Sequence, residues 1–181
     1  MPVGSGRPPN RAVAAVSVSL SARLRCSRWR AFAAPILGDA TRYLCGYRLQ
    51  PPVVAFEDDD TWGQPGGVRY PVTAPTALLP GGRLLTDTVL ERVEGERWRW
   101  QIDAFTAPTL FFVDRAVGEW VVGPPEGGVV PVEYGYTYHP TRPAYTPLLR
   151  LFVAVQVRGM LRQALREIQA FAESDAEMLY P

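Results

Sequence analysis

The sequence predicts an α+β domain in which one long helix at the end of the chain covers one face of an antiparallel sheet. Short runs rich in β-branched and aromatic residues follow one another through the middle of the chain, separated by Gly and Pro, which is typical of strands joined by tight turns. The longest helical pattern closes the chain, from Pro147 to about Ser174. A length of 181 residues suits one domain that is large enough to enclose a cavity.

The N-terminal part predicts a tail, a strand and two short helices. Residues 1–11 are rich in Pro and Gly and are expected to form a flexible tail. Residues 12–22 are expected to form the first strand. Apolar residues alternate with serine over residues 16–21, as in a strand with one wet face, which argues against an export signal. Ser27 is the expected N-cap of a helix that Pro35 ends or bends. A second short helix is expected over residues 36–45.

Six further strands are predicted in the middle of the chain, each bounded by turn residues. They are residues 51–56, 68–73, 83–93, 96–105, 110–122 and 129–139. Successive strands joined by tight turns pair antiparallel. Such a sheet has one face to bury, and a single amphipathic helix can cover it.

The closing helix is predicted from the 3.6-residue spacing of its apolar side chains, with Pro147 in its first turn. Val153, Val157 and Met160 share the apolar face, and arginines follow the opposite face, which we interpret as solvated surface. Residues 148–157 are apolar nearly all round. Another part of the protein must therefore cover the apolar side chains outside the main apolar face. Otherwise these side chains are exposed for a partner or a ligand.

The composition excludes several kinds of chemistry. All 19 basic residues are arginine, so neither a Schiff-base lysine nor a P-loop lysine exists. One histidine and two cysteines cannot build a structural zinc site of the usual kind, and we expect no metal and no cofactor. The net charge of +1 does not indicate nucleic-acid binding. No stretch approaches the roughly 18–20 apolar residues of a membrane span, and the low cysteine count favours a cytoplasmic protein.

The hairpin predicted around residues 94–95 places two carboxylates among aromatic side chains. If these two residues form the turn, alternation puts Asp87 and Glu91 on the inner face. Trp98 and Trp100 of the next strand share that face. Acids on an apolar face must be paired, neutral or facing a cavity that holds water.

The last predicted strand adds three tyrosines to the inner face, namely Tyr134, Tyr136 and Tyr138. Buried tyrosine hydroxyls and indole N–H groups need partners, which a lined pocket supplies. The alternative is a packed core with tyrosines at its rim. On the strand next to the acids, either Arg69 or Tyr70 points inward, but not both, and a structural ion pair of Arg69 remains an alternative to a substrate contact.

Residues 98–103 (Trp-Arg-Trp-Gln-Ile-Asp) and 132–140 (Val-Glu-Tyr-Gly-Tyr-Thr-Tyr-His-Pro), together with the order of elements, resemble the START-like (SRPBCC) superfamily. The most similar branch is that of the bacterial polyketide cyclase/dehydrase-type proteins. The resemblance covers about residues 12–174 and leaves residues 175–181 as a C-terminal tail. It implies a helix-grip fold, a curved seven-stranded antiparallel sheet wrapped around the C-terminal helix. It also implies a deep cavity between them for lipids, polyketides or other hydrophobic molecules.

The resemblance implies no invariant catalytic set, but it does imply which side chains face the cavity. The matching positions are Trp98, Trp100, Tyr134, Tyr136 and Tyr138 on strands, and Val153, Val157 and Met160 on the helix. Arg69 and Tyr70 complete the expected ligand-binding set. Residues 62–80 depart from the family in their high Pro and Gly content, so the mouth of the cavity stays undefined.

Three functions follow as hypotheses, and the sequence leaves open whether any reaction is catalysed. The first is a cytoplasmic protein that binds a hydrophobic or aromatic small molecule, lipid- or polyketide-like, in the cavity. The second is a polyketide cyclase or dehydratase in which Glu91 or Asp87 is the general base, and Tyr136 or Tyr138 donates to the developing enolate. The third is an interaction module, a homodimer included, that docks through the start of the last helix.

Overall fold

The computed structural model describes residues 15–178, which form an eight-stranded antiparallel sheet, one short helix and a long closing helix. The strands are β1 (Val16–Leu24), β2 (Val53–Asp58), β3 (Val68–Thr73), β4 (Gly82–Arg83), β5 (Thr86–Val93), β6 (Arg97–Asp103), β7 (Val113–Val122) and β8 (Val130–Pro140). The α-helices are α1 (Arg28–Leu37), α2 (Thr146–Phe152) and α3 (Arg158–Ala172), with a π-helical segment, Val153–Val157, between α2 and α3. In the described chain two 3₁₀ turns, Pro108–Leu110 and Pro143–Tyr145, precede β7 and α2. The predicted tail over residues 1–11 lies outside the described residues, as do residues 179–181.

The strand order in the sheet is β1-β8-β7-β6-β5-β3-β2, and the short β4 pairs with β3. The predicted α+β class, with an antiparallel sheet of seven to eight strands and a long C-terminal helix, is confirmed. The eighth strand arises because the predicted strand over residues 83–93 is divided into β4 and β5.

The closing helix, formed by α2, the π-helical segment and α3, packs against the inner face of the sheet. Its fully buried side chains are Leu149, Val157, Leu161, Ala164, Ile168 and Ala172. They join the inner-face side chains of β6, β7 and β8 in one hydrophobic core. α3 packs on β1, β8 and α1, so one end of the inner face is closed by helices.

Only one helix lies between β1 and β2 in the described chain, and the prediction of a second short helix over residues 36–45 is wrong. α1 begins after the predicted N-cap Ser27, whose hydroxyl accepts a hydrogen bond from a backbone N–H of the first turn. The helix passes through Pro35 and ends two residues later. The Asp39 carboxylate then accepts hydrogen bonds from the backbone N–H and the hydroxyl of Thr41. Such a side-chain bond offers the backbone a turn in place of a helix.

The β5–β6 hairpin differs from the prediction in two places. Its loop has three residues rather than two, because Val93 pairs with Arg97. Leu90 is then an extra residue, a β-bulge between Val89 and Glu91. A register change of one residue moves a side chain to the other face. The predicted inward position of Glu91 is therefore wrong, whereas the bulge restores the predicted register for the residues before it.

Candidate functional site

A cavity of about 700 Å³ lies between the inner face of the sheet and the closing helix. Ligand sites for drug-sized molecules span roughly 300–1,000 Å³. Most of the lining is apolar. The wall includes Pro71, Ile102, Val113, Tyr136 and Tyr138 from strands, Phe105, Leu110 and Phe112 from the β6–β7 connection, and Phe152, Val157 and Met160 from the closing helix.

The mouth of the cavity is bordered by apolar side chains that are exposed. Leu49, Leu148, Leu151 and Val155 line the cavity and are 57%, 40%, 61% and 47% exposed. We call these four residues the apolar rim. Leu49 belongs to the loop before β2, and the other three belong to the first turns of the closing helix.

The loop at the mouth is held by two glutamines of the closing helix. Gln156 is buried, lines the cavity and donates a hydrogen bond from Nε2 to the Tyr47 carbonyl oxygen at 2.6 Å. Gln163 donates from Nε2 to the Gly46 carbonyl oxygen at 3.0 Å. Gln156 lies in the π-helical segment, and such segments often mark functional sites because they re-aim side chains.

Asp87 is the only carboxylate that lines the cavity within residues 15–178. The residue is partly buried, but its Oδ1 atom is fully buried and has no hydrogen-bond partner in the described part of the chain. Burial raises the pKa of Asp87 to about 7, more strongly than the nearby Arg69 guanidinium lowers it. The carboxyl therefore titrates close to neutral pH.

Arg69 lies beside Asp87, because the two residues are cross-strand partners on β3 and β5. Its Nε donates to Asp58 Oδ1 at 3.1 Å, and its guanidinium carbon lies 4.2 Å from the Phe56 ring centroid and 3.7 Å from that of Trp62. The residue is only 3% exposed. We call Asp58, Arg69 and Asp87 the charged cluster. It contains one cation and two carboxyl groups.

The hydroxyls of Tyr134 and Tyr136 on β8 and the indole N–H of Trp100 on β6 form a chain of polar contacts. Trp100 Nε1 donates to Tyr136 Oη at 3.2 Å, and Tyr134 Oη lies 3.3 Å from Tyr136 Oη. Burial raises the pKa of Tyr134 to about 12 and raises the pKa values of Tyr136 and Tyr138 as well. The negative charge of Asp87 raises the pKa values of Tyr134 and Tyr136 further. These hydroxyls are therefore neutral at physiological pH and can donate hydrogen bonds.

Five of the predicted site residues line the cavity, namely Asp87, Tyr136, Tyr138, Val157 and Met160. Arg69 lies on the inner face beside the cavity.

Four others face inward as predicted but belong to the core rather than to the cavity wall: Trp98, Trp100, Tyr134 and Val153. Trp98, for example, stacks on Phe32 at 4.8 Å between ring centroids and donates from Nε1 to the Phe32 carbonyl oxygen at 2.8 Å.

Glu91 and Tyr70 lie on the outer face of the sheet, so both predicted site roles are corrected. Glu91 accepts hydrogen bonds from Arg97 at 2.6 Å and from Arg99 at 3.5 Å. The bond from Arg97 is the main cause that lowers the pKa of Glu91. The guanidinium of Arg83 packs over the ring of Tyr70, with its carbon atom 4.7 Å from the ring centroid. The cavity therefore retains Asp87 as its candidate general base.

Sequence reasoning missed Gln156 and the contribution of the Pro/Gly-rich segment. Gln156 is the only uncharged polar residue in the apolar run 148–157, and that isolation was the available signal. Within the Pro/Gly-rich segment, Pro71, Thr73 and Leu79 line the cavity. Composition could not predict that these residues face the cavity, because this depends on how β3 pairs within the sheet and on where the following loop lies.

No known protein-family profile and no curated protein sequence matches this chain, but solved structures do. Norcoclaurine synthase from Thalictrum flavum, in complex with dopamine and hydroxybenzaldehyde, is 10% identical, with 98% of each chain covered and a TM-score of 0.66. Ara h 8.0201 is 11% identical over 88% of this chain and 98% of its own, with a TM-score of 0.61.

Another neighbour is the di-domain ARO/CYC StfQ from the steffimycin biosynthetic pathway. It is 15% identical, with a TM-score of 0.62, and the match covers 88% of this chain and 51% of that one. These likenesses define the class of fold, which is the helix-grip fold. The predicted resemblance to the START-like (SRPBCC) superfamily is confirmed at the level of fold. Within residues 15–178, no helix is both long and apolar enough to cross a membrane.

Proposed function

We propose that the protein binds a hydrophobic or aromatic small molecule, lipid- or polyketide-like, in the cavity between the sheet and the closing helix. The cavity itself carries this proposal, since it has about 700 Å³, mostly apolar walls and an open mouth. Norcoclaurine synthase with its two bound aromatic molecules and the ARO/CYC protein of steffimycin biosynthesis share the fold and support this ligand class. The unpaired Cys26 and Cys45 support a reducing compartment, and we infer the cytoplasm.

Native mass spectrometry of freshly purified protein, followed by extraction of the released molecule, tests this proposal. We expect a stoichiometric hydrophobic adduct, and binding of the uncharged probe N-phenyl-1-naphthylamine once the adduct is removed. Met160→Trp places a larger side chain in the cavity wall and should weaken probe binding about tenfold or more. Ala154→Trp adds the same side chain at an exposed position of the same helix and is the matched control. Equal probe affinity in both variants would count against binding in this cavity.

A second function, polyketide cyclase or dehydratase, is favoured by the environment of Asp87. A carboxyl with a pKa of about 7 on an apolar wall can accept a proton from an enolisable substrate near neutral pH. Tyr136 and Tyr138 present neutral hydroxyls on the same wall, where donation would stabilise a developing enolate. Asp87→Asn should abolish turnover of an aromatic polyketone while probe affinity stays within about twofold of wild type. Unchanged turnover would exclude Asp87 as the base.

A further inference from the structure

The charged side chains that line the cavity in the described chain are one carboxylate and one arginine. Asp87 is the lining carboxylate, and its Oδ1 atom is buried without a hydrogen-bond partner among the described residues. The only cation that lines the cavity in the described chain is Arg48, which is exposed at the mouth. A ligand that reaches the interior therefore meets an anionic group and no lining cation there.

The charged cluster has an excess of negative charge when both of its carboxyl groups are ionised. Arg69 is bonded to Asp58 and held between the rings of Phe56 and Trp62. One guanidinium therefore faces two carboxyl groups, and the charge of Asp87 is balanced either by a proton or by a cation from outside the cluster. Asp103 on β6 adds further negative potential at Asp87.

One part of the cavity wall is aromatic. The Phe152 ring centroid lies 5.5 Å from that of Phe112 and 5.9 Å from that of Tyr138, and all three side chains line the cavity. Tyr136 lies next to Tyr138, with 5.9 Å between ring centroids. Aromatic faces attract cations, more strongly where water is excluded. The same wall also provides the apolar area that an aromatic ligand needs.

We propose that the ligand is an arylalkylamine in its protonated form. It has an apolar ring system and an alkylammonium group, and the ammonium group binds the Asp87 carboxylate. This inference rests on the proposed function and specifies its ligand class. The ammonium takes the place of the proton that otherwise neutralises Asp87. The ring system packs among Phe112, Tyr138 and Phe152. The neutral tyrosine hydroxyl oxygens accept a further hydrogen bond from the ammonium group.

Three probes of similar size and different charge test the inference. They are 2-(2-naphthyl)ethylamine, 2-ethylnaphthalene and 3-(2-naphthyl)propanoic acid, each measured by displacement of N-phenyl-1-naphthylamine near pH 8. We expect the amine to bind about tenfold or more tightly than the neutral compound, and the acid to bind most weakly. Asp87→Asn should remove the preference for the amine. Glu133→Gln, which removes an exposed carboxylate on β8, should leave it unchanged.

The pH dependence gives a second readout that needs no variant. Asp87 is faced by Arg69 on β3, Asp58 on β2, Asp103 on β6, and Tyr134 and Tyr136 on β8. Ionisation of the carboxyl with a pKa of about 7 should raise the affinity of the amine roughly tenfold between about pH 6 and pH 8. The alkylamine itself stays protonated over that range.

The outcomes separate this inference from the proposed function. If the amine and the neutral compound bind equally, the cavity is a hydrophobic site and the amine inference is wrong. If the acid binds best and weakens as the pH rises, Asp87 acts as a protonated donor, and the inference is again overturned. If none of the three probes, nor N-phenyl-1-naphthylamine, binds, the proposed function itself fails.

Discussion

The buried carboxyl group of Asp87 opposes folding at the pH values at which it ionises. Its pKa in the folded protein is raised to about 7 from the ordinary value of 3.8, chiefly by burial. Between these pH values the folded state binds a proton that the unfolded chain has released. Stability therefore falls as the pH rises through this window, and the loss is complete above the folded pKa.

At this scale we predict that Asp87→Asn removes the pH-dependent loss of stability. The free energy of unfolding of the variant, relative to wild type, should rise by about 3 kcal/mol from about pH 5 to about pH 8, because only the wild type must ionise a buried carboxyl. Urea unfolding at both pH values measures this difference. Glu133→Gln, at an exposed position, is the control and should show no such growth. Parallel pH curves for wild type and Asp87→Asn would contradict the raised pKa.

At the scale of elements, α1 is fastened to the sheet by indole N–H groups. Trp120 Nε1 on β7 donates to the Ala31 carbonyl oxygen at 3.0 Å, and Trp98 Nε1 on β6 donates to the Phe32 carbonyl oxygen at 2.8 Å. Pro35 explains the first bond. It lies inside α1 and has no N–H, so the Ala31 carbonyl lacks its usual donor four residues later. The proline on the helix and the tryptophan on the sheet are therefore complementary.

A double-mutant cycle tests this complementarity. Trp120→Phe leaves the buried Ala31 carbonyl without a donor, a loss of about 1–3 kcal/mol in addition to the lost packing. In a Pro35→Ala background, the new backbone N–H can donate to that carbonyl, so Trp120→Phe should cost about 1 kcal/mol less. Urea unfolding of the four proteins gives the coupling energy.

Trp98→Phe is the matched control for this cycle. Its acceptor is the Phe32 carbonyl, and the helical donor to that carbonyl is the N–H of Ile36, which Pro35→Ala does not change. We expect a coupling energy near zero between Pro35→Ala and Trp98→Phe. Coupling of the same size in both cycles would show that Pro35→Ala alters helix packing in general rather than one carbonyl.

Alternation predicted the inner faces of β6 and β8 because it depends only on the two-residue period of a strand. It could not predict how far along each strand the cavity extends. Trp98 and Tyr138 both face inward, but Trp98 lies under α1, whereas Tyr138 lies on the open wall beside Phe152. That difference depends on where the helices cover the sheet, which is a tertiary property.

The pairing register of β5 and β6 proved harder to predict than the alternation of side chains between the two faces of a strand. A loop of three residues instead of two and the bulge at Leu90 each shift the pairing by one residue. Glu91 lies between these two changes and turns outward to the arginines of β6, whereas Asp87 lies beyond both and stays inward. Gly95, with a φ of +69°, suits either a two-residue or a three-residue loop, so the sequence did not distinguish them.

At the scale of the whole molecule, the mouth of the cavity is also the surface with which a partner would make contact. The apolar rim contains three exposed residues from the first turns of the closing helix. Phe152, in the same run, is instead packed against Phe112 and Tyr138 in the cavity wall. A partner docked at the rim would therefore close the path to the charged cluster. Docking through the start of the closing helix, a homodimer included, stays a prediction.

We predict that two copies cover each other's apolar rim at high concentration, because four exposed apolar side chains around one opening form a surface that water solvates poorly. Sedimentation velocity from about 5 to about 300 µM should then show a rising average sedimentation coefficient for the wild type. Leu151→Asp, at a position that is 61% exposed, should keep the protein folded and monomeric throughout. Leu90→Asp, at a position that is 43% exposed and does not line the cavity, should behave like wild type. A constant sedimentation coefficient for the wild type would mean that the rim stays open to solvent and serves only as the entrance for the ligand.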